Sequence, residues 1–235
     1  MEVAGMLSGG FPLIKSFQVS SAWTASTKAG IPVLTGASAS GGGVTIGALG
    51  GAGAAAALGV TLDSAVYTAT QGTGSASALR RIRVVINPDQ IVRMRQCGGA
   101  TSGTTLPTQT NTTLSSGGTL ITTGAVWNGP TFLNGQVWGL TGNNVGALRK
   151  ITTVSATAGT VVEPFGYAIA VNDTFLRSPV SPGSTVLAQL TTDLTELDAT
   201  AAIAATAEYV CIDTELNSGL DSYAHFIFAD HVLAN

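Results

Sequence analysis

The sharpest hydrophobic–polar pattern in the chain is residues 79–97, LRRIRVVINPDQIVRMRQC. Arg81 and Arg83 alternate with Ile82, Val84 and Ile86, and Arg93 and Arg95 alternate with Val92, Met94 and Gln96. A side-chain period of two marks a β-strand with one buried face. Asn87-Pro88-Asp89-Gln90 is turn chemistry, so the two runs read as a β-hairpin. An odd connection of about three or five residues pairs Ile86 with Val92, Val84 with Met94 and Arg83 with Arg95. The arginines then share one face and the aliphatic residues the other, whereas an even loop mixes the faces.

Short apolar runs bounded by Gly, Ser, Asn or Pro recur along the chain. Strands are expected over residues 31–34, 43–46, 58–62, 64–68, 135–140, 146–154, 160–162, 166–171, 174–176, 185–190, 208–213 and 222–229. Thr141-Gly-Asn-Asn144 and Val171-Asn-Asp-Thr174 read as turns. Residues 194–207 are Ala/Thr-rich with early acids, and a short helix is expected there. Many short strands at spacings of roughly 8–12 residues predict an all-β fold. The expected body is a sandwich or barrel of antiparallel strands, in two β lobes over residues 31–100 and 101–235. Residues 1–30 hold Met6, Leu7, Phe11, Leu13, Ile14, Phe17, Val19 and Trp23 without helical period. They read as an extended arm that docks on a neighbour, or as an edge strand plus loop.

The segment Gly47 to Val60, GALGGAGAAAALGV, matches two motifs. Gly51-x-Gly53-x-x-Ala56 fits a dinucleotide fingerprint, but that fingerprint needs a helix after it and an acid about 20 residues on. Asp63 is too near, Asp89 is too far, and strand signals resume at Leu58. Gly47-x-x-x-Gly51 fits a membrane-helix dimer motif, and Val44 to Leu62 carries no charge. A span needs about 20 predominantly apolar residues, and here Gly and Ala dominate without basic flanks or aromatic anchors. The segment reads as a spacer that lets backbone lie close to other backbone.

Composition sharpens the picture of the surface. Charged residues are 10% of the chain, against about 25% in an ordinary soluble domain. Much of such a surface is expected to lie against other protein, with a membrane as the second candidate. The net charge of −3 argues against nucleic-acid binding. All ten Lys and Arg lie at or before Arg177, while eight acids and no Lys or Arg follow it. Four arginines on one sheet face repel unless neutralised. An acidic patch of this chain's tail or of a neighbour, a phosphate, or plain solvent are the three readings of that face. The N-terminus lacks a basic segment before an apolar run, so no secretory signal is read and synthesis in the cytoplasm is expected.

Catalytic chemistry is sparse. His225 and His231 both lie near the C-terminus and read as structural. No zinc-protease, paired-cysteine or P-loop motif occurs. Cys97 and Cys211 read as buried thiols, with one disulfide as the alternative. Asp193, Glu196 and Asp198 could hold a hard cation, but a solvated turn is the reading preferred. Asn111-Thr-Thr113 and Asn172-Asp-Thr174 match a glycosylation sequon without a secretory signal to give it weight. No cofactor, metal or enzyme activity is expected.

VVINPDQIVRMRQCGGATSGTTL (84–106), VWGLTGNNVGALRKITTV (137–154), PFGYAIAVNDTFLRSP (164–179) and ELNSGLDSYAHFIFADHVL (215–233) resemble structural proteins of tailed-bacteriophage heads, of the decoration or cement kind. The resemblance implies a β-rich virion protein on the outside of an icosahedral capsid, bridging and stabilising major capsid protein subunits. It implies a homo-oligomer, trimer or dimer, with no nucleic-acid or membrane partner. Phe11, Phe17 and Trp23 are the expected apolar contacts, and Arg81, Arg83, Arg93 and Arg95 the expected electrostatic ones. Two other readings stand beside it. One is a carbohydrate-binding or tail-associated β-protein that stacks sugars on Trp127, Trp138, Tyr167 and Tyr223. The other is a membrane-associated protein anchored by residues 44–62.

Overall fold

The computed structural model describes residues 2–19, 29–35, 44–46, 57–64, 81–99, 103–124, 127, 132–186, 196–198, 209–217 and 222–229. The strands in chain order are β1 Glu2–Met6, β2 Ile14–Gln18, β3 Pro32–Thr35, β4 Val44–Ile46, β5 Ala57–Thr61 and β6 Arg81–Val85. Next come β7 Gln90–Cys97, β8 Thr108–Thr110, β9 Leu120–Thr122, β10 Gln136–Gly139, β11 Leu148–Val154 and β12 Ala158–Val161. The last are β13 Thr174–Ser178, β14 Thr185–Val186, β15 Glu196–Asp198, β16 Tyr209–Glu215 and β17 Tyr223–Phe228. Helical structure among the described residues is 3-10 alone, in the turn Gly142–Asn144 and at Phe132. The chain is all-β.

Three sheets result. Sheet I runs β1-β7-β17-β16-β14, with β15 also on β7. Sheet II runs β2-β6-β5-β3-β4, and sheet III runs β8-β13-β10-β11-β12-β9. All pairings are antiparallel except β15 on β7. Sheet I buries Val92, Met94, Tyr209, Cys211, Ala224, Phe226 and Phe228 on one face. Sheet II buries Ile31, Val33, Leu58, Ile82 and Val84. Sheet III curls round its own core of Ile121, Trp127, Phe132, Val137, Ile151, Val161 and Phe175.

The expected hairpin does not form. β6 pairs with β2 and β5, whereas β7 pairs with β1, β15 and β17. Residues 86–89 carry the chain from sheet II into sheet I instead of reversing it. Within each strand the alternation is as read: Ile82, Val84, Val92 and Met94 are buried, and the arginines lie on the other face. The partners differ because both edges of β6 and of β7 are taken by strands remote in sequence.

The N-terminal segment follows that crossing. β1 pairs with β7 from Glu2↔Arg93 to Met6↔Gln90, and β2 pairs with β6 from Ile14↔Val85 to Gln18↔Arg81. Residues 2–19 thus supply the edge strand of two sheets. Between these registers residues 7–13 lie opposite residues 86–89, so the N-terminal side bulges outward as a loop.

Other expectations meet the structure as follows. The lobe boundary at residue 100 does not separate sheets, because β7 lies in one sheet with β14 to β17. The strands β8 to β13 form sheet III as an insertion between strands of sheet I. The helix expected over 194–207 is a strand at 196–198, and its remainder lies outside the described residues. Residues 166–171 form no strand, only the bridge Ser115↔Ile169. There the Asn144 amide bonds the Tyr167 and Ala168 carbonyls at 3.2 and 3.4 Å, in place of a strand partner. The strand expected at 64–68 lies largely outside the described residues.

Candidate functional site

β7 presents Arg93 and Arg95 on the outer face of sheet I, and the register places acids beside them. Glu2 pairs directly across from Arg93, and Glu196 across from Arg95. Arg93 Nη1 reaches Glu2 Oε1 at 3.0 Å, and Nη2 reaches Glu215 Oε2 at 3.0 Å. The same guanidinium lies 3.5 Å over the Tyr223 ring. Arg95 bonds Glu196, whose other oxygen accepts the Gly103 amide at 2.9 Å. His225 Nε2 lies 3.4 Å from Glu215 Oε1. The carboxylates raise the Arg93 and Arg95 guanidiniums above their ordinary value. The acidic tail of this same chain therefore neutralises the arginines of β7.

The arginines of β6 are held separately. Arg83 grips Asp63 through Nε at 3.0 Å and Nη2 at 2.6 Å, and its backbone amide donates to Asp63 Oδ2 at 2.9 Å. These bonds hold the Asp63 carboxyl below its ordinary value. Arg81 donates to the hydroxyl and the carbonyl of Ser16 at 3.1 and 2.6 Å. The arginines are thus divided between two sheets, and Arg83, Arg93 and Arg95 are each paired within the chain. The pairs of Arg83 and Arg93 are exposed and contribute little, whereas the Glu196 partner of Arg95 is buried.

The apolar candidates separate. Phe17 packs against the core of sheet II, and Trp23 lies outside the described residues. Phe11 stands at 96% exposure in the loop between β1 and β2. That loop is pinned at both ends. Leu7 N and Ser8 N donate to the Asp89 carbonyl and carboxylate at 2.9 and 3.1 Å, and Leu13 N donates to Asn87 Oδ1. Ile86 N returns a bond to Leu13 O at 3.0 Å. Leu7, Leu13 and Ile14 are exposed beside Phe11. The sequence signal was present: Gly9-Gly10 and Pro12 break the strand pattern and leave the large residues without a sheet to enter.

A second exposed apolar surface was not legible in the sequence. On the outer face of sheet III, Trp138 pairs with Leu176 on one side and Leu148 on the other. Leu106 and Leu216 pack over the Leu176 end. Leu148 and Lys150, on the same face, are exposed, and Val162 beside them donates its amide to the Lys150 carbonyl at 2.9 Å. Lys150 makes no ion pair among the described residues. This shelf becomes visible only when β10 is known to lie between β11 and β13.

The remaining candidates resolve plainly. Trp127 is fully buried beneath Arg177, whose guanidinium lies 5.2 Å from its ring and 4.2 Å from Phe132. Arg177 donates to Trp127 O at 3.1 Å and, with the Gln109 amide oriented to accept, to Gln109 at 2.7 Å. Burial lowers the Arg177 guanidinium to about 10. Tyr223 lies under Arg93 and Tyr167 is exposed. Glu196 serves Arg95 while Asp193 lies outside the described residues, and no acid, His or Cys group suited to a metal is present among the described residues. Cys97 and Cys211 are free and buried, and burial pushes the Cys211 thiol up to about 12. His231 and residues 47–56 lie outside the described residues. No helix among the described residues is long and apolar enough to cross a membrane.

No family model, curated protein or solved structure matches the chain.

Proposed function

We propose that this chain is a virion structural protein that binds the outside of an icosahedral capsid and stabilises it by bridging major capsid subunits. The observation that carries the reading is Phe11, 96% exposed at a loop pinned by backbone hydrogen bonds. A large aromatic side chain held out by a fixed loop loses little conformational freedom when it is covered, which suits an interface anchor. The paired arginines support the same view. With Arg83, Arg93 and Arg95 engaged internally, contact with other chains falls to apolar packing. A protein that binds only the assembled shell stabilises it by mass action, and several joined copies add avidity.

The test is direct. Shells assembled without the protein are mixed with purified chain, sedimented, and melted. Co-sedimentation with a raised shell unfolding temperature is the expected result. Absence of both overturns the reading.

A further inference from the structure

We propose that the Phe11 loop seats on the outer face of sheet III of a second copy of this chain, joining copies head to tail. The inference rests on the reading above only in taking Phe11 as an interface residue, and it names a partner other than the shell.

The loop and the shelf lie at opposite ends of β7. The loop is bonded to Asp89, next to the start of β7 at Gln90. Sheet III is fastened at the other end, where Ser178 Oγ donates to Gln96 Oε1 at 2.6 Å and Gln136 Nε2 donates to Thr214 Oγ1 at 2.5 Å. The strand between spans about 25 Å. A loop pinned at one end cannot reach the shelf at the other, so a contact between loop and shelf joins two molecules.

The two surfaces are complementary. Phe11, Leu7, Leu13 and Ile14 form an exposed apolar knob. Trp138, Leu148 and Val162 form an apolar strip, buried at its Leu176 end and open at the other. Asp89 borders the knob and Lys150 borders the strip. Neither makes an ion pair among the described residues, although the chain pairs Arg83, Arg93 and Arg95 internally. Strand addition is the less suitable alternative at this edge. β1 carries a bulge between Val3 and Gly5, and Pro12 and Lys15 flank the loop, which are features that discourage edge-to-edge pairing. Side-chain packing of knob on strip remains. Because the two patches differ, the contact is two-fold and isologous where it is made reciprocally, and otherwise heterologous, building a ring where the rotation closes and an open filament where it does not.

Sedimentation velocity of the full chain over a concentration series tests this without any shell. The wild type is expected to self-associate. Phe11→Ala and Leu148→Glu should each weaken association at least about tenfold. Asp89→Asn, which keeps an oxygen to accept the Ser8 amide, and Lys150→Gln should each weaken it, and the double variant should lie within about threefold of the weaker single. Circular dichroism reports whether each variant is folded, and the non-additivity of the pair guards against a folding artefact. A monomeric wild type overturns the contact, as does an oligomer indifferent to Phe11 and Leu148, or losses at 89 and 150 that simply add. A monomer that still binds shells refutes this contact alone, and an oligomer that binds none refutes the shell reading alone.

Discussion

A methyl group added at residue 59 tests the close approach of β5 and β6. A Cβ at Gly59 would lie 1.9 Å from the Val85 carbonyl oxygen and 2.9 Å from its carbon. Ordinary C···O contacts run at about 3.3–3.6 Å. The strands must therefore part by more than about 1 Å. Their pairing is short: Val60↔Val85 and Thr61↔Val84, with Leu62 N bonded to Arg83 O at 2.9 Å. Losing two backbone bonds costs about 1–3 kcal/mol, and overpacking beside buried Leu58 and Val60 adds about 1–3 kcal/mol. Gly59→Ala should thus destabilise by about 2–6 kcal/mol, a large share of the ~5–15 kcal/mol of a typical domain. With a urea slope of about 1–3 kcal/mol/M, the unfolding midpoint should fall by at least about 0.7 M. Gly166→Ala is the control, since nothing lies within 4 Å of its added Cβ. A Gly59→Ala midpoint equal to that of Gly166→Ala would refute the reasoning.

Glu196→Gln leaves the half-buried Arg95 without its carboxylate and should cost about 2–3 kcal/mol, whereas Glu215→Gln, at an exposed pair, should cost under about 1 kcal/mol; equal urea midpoints would contradict this. Gln90 is fully buried and both its side-chain amide atoms lack a hydrogen-bond partner among the described residues, so Gln90→Met should stabilise by about 1 kcal/mol, and a lower melting temperature would count against it. The depressed Asp63 pKa means that its pairing stabilises fully above the ordinary carboxylate range and is lost as pH falls below about 4. Asp63→Asn should flatten that acid limb by less than about 1 kcal/mol, as read from urea titrations between neutral and acid pH. Both cysteine thiols are pushed up by burial, so a disulfide-exchange reagent at mildly alkaline pH should label neither in the native protein and both in denaturant, and rapid native labelling of either would sink the assignment.

The strands legible in the sequence were those whose signal is local. Alternation at 81–85 and 90–96 fixed which side chains face inward, because a one-residue shift would bury arginine. Pairing was not legible, because it depends on segments remote in the chain. β1 and β15 share one edge of β7 end to end, and nothing within residues 79–97 announces either. The stretch 98–135 reads as exposed strands and loops without fixing where the strands lie. β8 is Thr-Gln-Thr with two exposed side chains, and β9 is only Leu120-Ile-Thr122, so neither has an apolar run long enough to place it. The reverse error occurred at 166–171, where an apolar run looks like a strand but Asn144 supplies the hydrogen bonds.

The division of charge along the chain acquires a physical meaning in sheet I. Bases from the front of the chain meet acids from its tail on β7 and its neighbours, Glu196 on Arg95 and Glu215 on Arg93, and the N-terminal Glu2 joins them on Arg93. That arrangement removes like-charge repulsion across the sheet face. It also removes those arginines as free attractants for a partner, since a second carboxylate would have to displace one already held in place. In the role proposed above, a chain with 10% charged residues that pairs Arg83, Arg93 and Arg95 internally would hold other proteins mainly by shape and apolar area. That proposal moves the weight of recognition from the arginine face to the loop at Phe11. There the side chain is already outside the core, and covering it is opposed by no carboxylate or guanidinium that must first be stripped of a partner.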